Sequence, residues 1–143
     1  GMERRANTYE FANRISKKYN IPVRYKHLEP GQKFDYMSLE DFVTNWSPCL
    51  FHFNLDPIDY FPGKQAVHVA SVGSINIGGV NENHSLLYPK TATCDTKVLE
   101  EKIVECLEDE NKRNDIITHA WNKLNETFSF NAVRKQIEGI RYE

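Results

Sequence analysis

Apolar residues along this chain follow two different rhythms. Tyr9, Phe11, Ala12, Ile15 and Tyr19 recur at helical spacing, so 8–19 reads as an amphipathic helix. Asn7 or Thr8 is its candidate N-cap, and Asn20 and Pro22 stop it. The β-branched and aromatic run 23–27 reads as a strand, and Pro30-Gly31 as a turn. Ser38-Leu39-Glu40-Asp41 resembles a capping box opening a short helix to Trp46, which Pro48 ends. The mostly apolar run 49–53 suits a strand buried on both faces. A loop rich in Asp and Pro covers 54–63. A small-residue helix is expected over 64–72, although its valines and His68 lower its propensity, and Gly73 would end it. A strand over 74–77 breaks at Gly78-Gly79, and 85–88 reads as a brief edge strand before Pro89.

The last third carries three helical stripes. Leu99, Ile103, Cys106 and Leu107 form the first, with Asp95 or Thr96 as N-cap. Ile116, Ile117, Ala120, Trp121, Leu124 and Phe128 form the second, and Phe130, Val133, Ile137 and Ile140 the third. Short strands alternating with helices predict an α/β fold with a small parallel sheet covered by helices, ending in a helical tail over 95–141. Such sheets hold ligands at the carboxyl ends of their strands, which here means 28–37, 54–63 and 78–83.

The chain has 143 residues, which fits a single domain, with 1–7 expected to be flexible. Leu, Ile, Val and Phe make up about a quarter of it, enough for a buried core. Its formal charge of −2 argues against a nucleic-acid partner, which needs a basic excess to neutralise phosphates. No apolar run has the length of a membrane span, and the polar start shows no signal peptide. Gly1 before Met2 reads as a tag-cleavage remnant. Three cysteines, Cys49, Cys94 and Cys106, without close pairing predict free thiols and a reducing, cytoplasmic setting.

The five histidines are scattered without ligand spacing, so no metal site is expected. Nucleophile-elbow, P-loop and dinucleotide fingerprints are absent, and His27-Leu28-Glu29 lacks the acidic pair of a receiver domain. Gly78-Gly79-Val80-Asn81-Glu82 after a predicted strand has two readings. It is a turn that needs backbone freedom, or a loop whose backbone approaches a ligand phosphate or sugar. Asp56, Asp59 and Lys64 flank the preceding loop as solvated charges or as ligand contacts.

The order of these segments resembles the C-terminal half of GT-B glycosyltransferases of the group 1 type. Ser47-Pro48 through Phe53 stands where that family has a strand. Phe61-Pro62-Gly63-Lys64 through Gly73 stands at its following helix, and Gly78-Gly79-Val80-Asn81-Glu82 at its glycine loop. Leu86-Leu87-Tyr88-Pro89 and the helical tail continue the match, so the resemblance covers roughly 8–141.

The resemblance implies a Rossmann-like sheet of three or four strands and a nucleotide-sugar as substrate rather than a resident cofactor. It implies donor contacts from Asp59, Lys64, His68, Gly78, Gly79, Val80, Asn81 and Glu82. A separate acceptor-binding half or a second copy of the chain would complete the cleft. The family's paired glutamates are missing: Tyr60 and His68 stand near their places, and a histidine cannot offer a diol two anionic acceptors. The isolated chain is therefore expected to be inactive. A degenerate, non-catalytic binding or assembly domain is the alternative. The resemblance also makes 23–27 and 49–53 strands 3 and 4 of a doubly wound sheet that lacks strands 1 and 2, so the two are expected to pair directly or to be covered by a second copy.

Overall fold

A computed structural model of the protein describes residues 2–24, 39–55 and 64–141. The described chain is a mixed α/β structure, mostly helical. Helix α1 (Met2–Tyr19) buries Phe11, Ala12 and Ile15, the stripe that the sequence pattern picks out. It begins earlier than that stripe. Thr8 lies inside it rather than capping it, and the Thr8 hydroxyl accepts the Leu55 N–H at 3.0 Å. Asn20, at φ +54°, ends the helix, and Ile21 N–H donates back to Ser16 O.

Helix α2 (Leu39–Asn45) leads to strand β1 (Phe51–Phe53). Helix α3 (Lys64–Ser71) then returns the chain to strand β2 (Ile75–Ile77). The two strands are parallel, in the register Phe51↔Ile75, His52↔Asn76 and Phe53↔Ile77. Parallel neighbours need a crossover, and α3 provides it. Gly73, at φ +73°, closes α3 as expected: its N–H donates to Ala70 O, and Ser74 N–H donates to Val69 O.

Four expectations change. The described residues form a sheet of two strands, not three or four. Residues 23–24 belong to no strand, and 25–27 lie outside the described residues, as does the pairing proposed for them. The strand expected to be buried on both faces is only half-buried, whereas Ile75, Asn76 and Ile77 are fully buried. The expected edge strand over 85–88 is part of a helix, α4 (Glu82–Leu87). Asn81 explains this difference. Its side chain accepts the His84 N–H at 2.9 Å, an N-cap that outweighs the strand propensity of the following apolar residues.

Helices α5 (Thr96–Glu108), α6 (Glu110–Phe128) and α7 (Phe130–Arg141) complete the chain. Asp95 caps α5 and Asp109 caps α6. The core lies where α3, β2, α4, α5 and α6 meet. Ala66, Val69, Ile77, Leu87, Leu99 and Ile103 are among its fully enclosed residues. Glu100 on α5 draws α1 onto the same body. It takes Arg14 at 3.0 Å, Lys18 at 2.6 Å and the Tyr19 hydroxyl at 2.8 Å. Among the described residues, no helix is long and apolar enough to cross a membrane.

Candidate functional site

The candidate site is built at the carboxyl end of the two strands. β2 ends in Gly78 and Gly79, at φ +97° and +88°, backbone that L side chains rarely adopt. Both positions are also crowded. A Cβ on Gly78 would fall 2.1 Å from the Asn54 carbonyl oxygen, and one on Gly79 would fall 2.3 Å from His84 Nδ1. The glycine pair therefore sits at the end of its strand in a conformation that excludes other residues, as the sequence predicts.

A buried polar network fixes this turn. Asn76 is fully enclosed in β2. Its Nδ2 donates to Gly78 O at 3.1 Å, and its Oδ1 accepts from Gln65 Nε2 at 3.0 Å. Thr91 Oγ1 donates to Asn76 O at 2.6 Å, and Gly78 N–H donates to Thr91 O at 2.9 Å. Asn54 N–H donates to Ile77 O, which ties the end of β1 to the end of β2. Buried amides hold their geometry because losing a partner would strand a polar group away from water.

Gln65 brings the start of α3 to the same end of the sheet, so Lys64 begins its helix beside the glycine turn. His68 lies one turn along α3 and is exposed. Val80 is exposed, Asn81 caps α4, and Glu82 opens it. Asp59 lies outside the described residues, as do Asp56 and Tyr60. The structure thus groups Lys64, Gly78, Gly79, Val80, Asn81 and Glu82 at one end of the sheet and places His68 on the helix leading away from it.

The residues that shape the turn, Gln65, Asn76, His84 and Thr91, were not singled out in the sequence. One signal was readable: Asn76 is an amide between two isoleucines in a strand. His52, opposite Asn76 in register, has its pKa lowered by burial. Tyr88 sits below the turn with its hydroxyl donating to Ser74 O at 2.7 Å, and burial raises its pKa well beyond the usual phenol range.

Two concavities lie away from this end. One, of about 250 Å³, is lined by Leu87, Lys90, Asp115, Ile116 and His119 among others. The other, an open groove of about 550 Å³, runs past Tyr19, Glu100 and Val104. Residues 78–82 line neither. Among the described residues, no three His, Cys, Asp or Glu side chains are grouped to hold a metal ion.

A strand, a crossover helix, a second parallel strand and a glycine turn into a capped helix define the class: an α/β protein with a polar-braced turn at its sheet's carboxyl end. Comparison with protein-family models, with curated proteins and with solved structures finds no match to the chain.

Proposed function

We propose that the chain is a donor-domain-like piece of a group 1 glycosyltransferase, binding a nucleotide diphosphate sugar at the carboxyl end of its sheet. The observation that carries this reading is the Gly78-Gly79 turn, with positive φ at both residues, opening into α4 beside the start of α3. Ligands of parallel sheets bind at that end. The reading extends the sheet to three or four strands in a Rossmann-like arrangement, with 23–27 as a further strand.

In this reading Lys64 supplies charge to the donor diphosphate, and Asp59 and the 80–82 segment meet the sugar and ribose. His68 offers a single ring nitrogen where the family has a carboxylate. Transfer breaks the bond between the sugar's anomeric carbon and the diphosphate oxygen. It forms a bond from that carbon to an acceptor hydroxyl, whose proton leaves to a base on the acceptor side. The chain's part is to position the donor and stabilise the departing diphosphate. An acceptor-binding half or a second copy must complete the cleft, so the chain alone transfers nothing measurable. The three free thiols, Cys49, Cys94 and Cys106, fit a cytoplasmic setting.

A second reading is a non-catalytic binding or assembly domain. It draws on the contacts of Gly78 with Asn54 and of Gly79 with His84, which require both glycines without any ligand. Calorimetric titration with UDP, GDP, UDP-glucose and GDP-mannose separates the two. The first reading expects one of them to bind the folded chain and Lys64→Ala to weaken it roughly fivefold or more, as loss of a charge-assisted contact does. Absence of binding at millimolar ligand by a chain with intact circular dichroism would reject it in favour of the second.

A further inference from the structure

The third apolar stripe of the sequence has no cover. On α7, Phe130 is 83% exposed, Ile140 75%, Ile137 60% and Val133 42%. Their spacing of three, four and three residues sets all four on one side of the helix. Apart from Ala132, residues 130–140 are all exposed, so the helix projects from the body and packs only beside α6. Just before the corner at Ser129, Phe128 on α6 is also exposed. A contiguous apolar face of this kind marks an interaction site.

Charge selects the occupant. α7 carries Arg134, Lys135 and Arg141 against one acid, Glu138, which Arg134 pairs at 3.0 Å. Arg134 and Arg141 each follow a stripe residue directly, Val133 and Ile140, so at 100° per residue both fall on the same edge of the stripe. In antiparallel pairing with a second α7, these cations would face each other. In either direction the stripe offers only two heptads, short of the three or four that a coiled coil needs. An anionic lipid surface needs no register and no minimum helix length. It takes an aromatic and aliphatic stripe into the acyl boundary and cations into the headgroups.

We propose that α7 lies flat on an anionic lipid surface, inserting Phe130, Val133, Ile137 and Ile140 beneath the headgroups, with Arg134 and Arg141 among the lipid phosphates. The helix rests on the membrane and does not span it. The proposal stands on α7 alone and is independent of the sugar-nucleotide reading.

Co-sedimentation with vesicles tests it, using phosphatidylcholine alone and a mixture of three parts phosphatidylcholine to one part phosphatidylglycerol at physiological salt. The chain is expected to pellet with the mixed vesicles and to stay in solution with the neutral ones. Ile137→Glu should reduce binding roughly tenfold or more by removing a buried aliphatic group and adding an anion. It should leave the melting temperature unchanged, because Ile137 is already exposed without lipid. Arg134→Gln with Arg141→Gln should reduce binding by roughly fivefold per cation. No binding to the mixed vesicles, equal binding to neutral ones, or full binding by either variant would overturn the proposal. So would a lipid-free dimer in sedimentation velocity that Ile137→Glu dissolves, since the occupant would then be a second copy.

Discussion

The Gly79 backbone runs so close to the His84 imidazole that a Cβ at position 79 would fall 2.3 Å from Nδ1 and 2.5 Å from Cγ. Gly79→Ala must therefore move the ring of a fully buried residue and also adopt a φ of +88°. We expect a stability loss of about 3 kcal/mol by urea unfolding. The double variant Gly79→Ala/His84→Ala should lose about 1–3 kcal/mol less than the sum of its singles, because the ring no longer opposes the methyl. Strict additivity would show that the contact is not the constraint.

Gly78→Ala has no such relief. Its new Cβ would meet the Asn54 backbone, 2.1 Å from O and 2.8 Å from C, and no side chain can be trimmed to make room. The expected outcome is a larger loss than at position 79, which no substitution at His84 restores. Unfolding midpoints of the two alanine variants, with and without His84→Ala, check the order.

Glu100 holds its carboxyl at about 2, down from an ordinary 4.5, through hydrogen bonds from Lys18, Tyr19 and Arg14. A carboxyl depressed in the folded state adds stability above its unfolded value and loses it as pH falls through the folded one. Stability should therefore decline between about pH 4.5 and pH 2, and Glu100→Gln should lack this part of the decline. Urea midpoints measured across that range, in low and high salt, test the assignment, because added salt screens surface charges and should shrink the difference.

Tyr88 shows the opposite sign. Burial raises its phenol, and its hydroxyl is donated to Ser74 O. The neutral form is the folded one, so its stabilisation is complete below about pH 10 and fades as pH rises above it. In an ultraviolet titration, one of the seven tyrosines should ionise only as the protein unfolds. Tyr88→Phe should remove that step and cost about 1 kcal/mol, leaving the Ser74 carbonyl without this donor.

Asp109 sits between two helices and serves both. Its side chain accepts Asn111 N–H at 2.9 Å and Lys112 N–H at 3.2 Å to start α6, and its own N–H closes α5 on Glu105 O. Asp109→Ala removes only the first function and should cost about 1 kcal/mol, whereas Asp109→Asn should be close to neutral. Thermal melts of the two variants separate the side-chain role from the backbone one.

The helices were legible because their stripes are local: Phe11 and Ile15, Leu99 and Ile103, and Ile116 and Ala120 each recur at the period of a turn. The glycine turn was legible for the same reason, as two adjacent glycines directly follow a β-branched strand. What fixes that turn was not legible. Asn54, His84 and Thr91 reach it from other parts of the chain, and no spacing in the sequence announces a contact between Gly79 and an imidazole. α4 was misread because Leu86, Leu87 and Tyr88 suit a strand, while the deciding group, the Asn81 side chain, lies several residues earlier. Sheet size could not be read from apolar runs either: β1 and β2 have similar composition, yet only β2 is fully enclosed.

The Glu100 cluster also bears on how the protein is made. Its three partners lie 81 to 86 residues earlier in the chain. At a synthesis rate of roughly 5–20 residues per second, Arg14, Lys18 and Tyr19 wait on the order of 4–16 s for the carboxylate that holds them. Throughout that interval the growing chain carries a cationic, half-apolar helix with no counter-charge from α5. α1 thus leaves the ribosome well before its anchor exists, and a chaperone that favours basic amphipathic segments would meet it in that window.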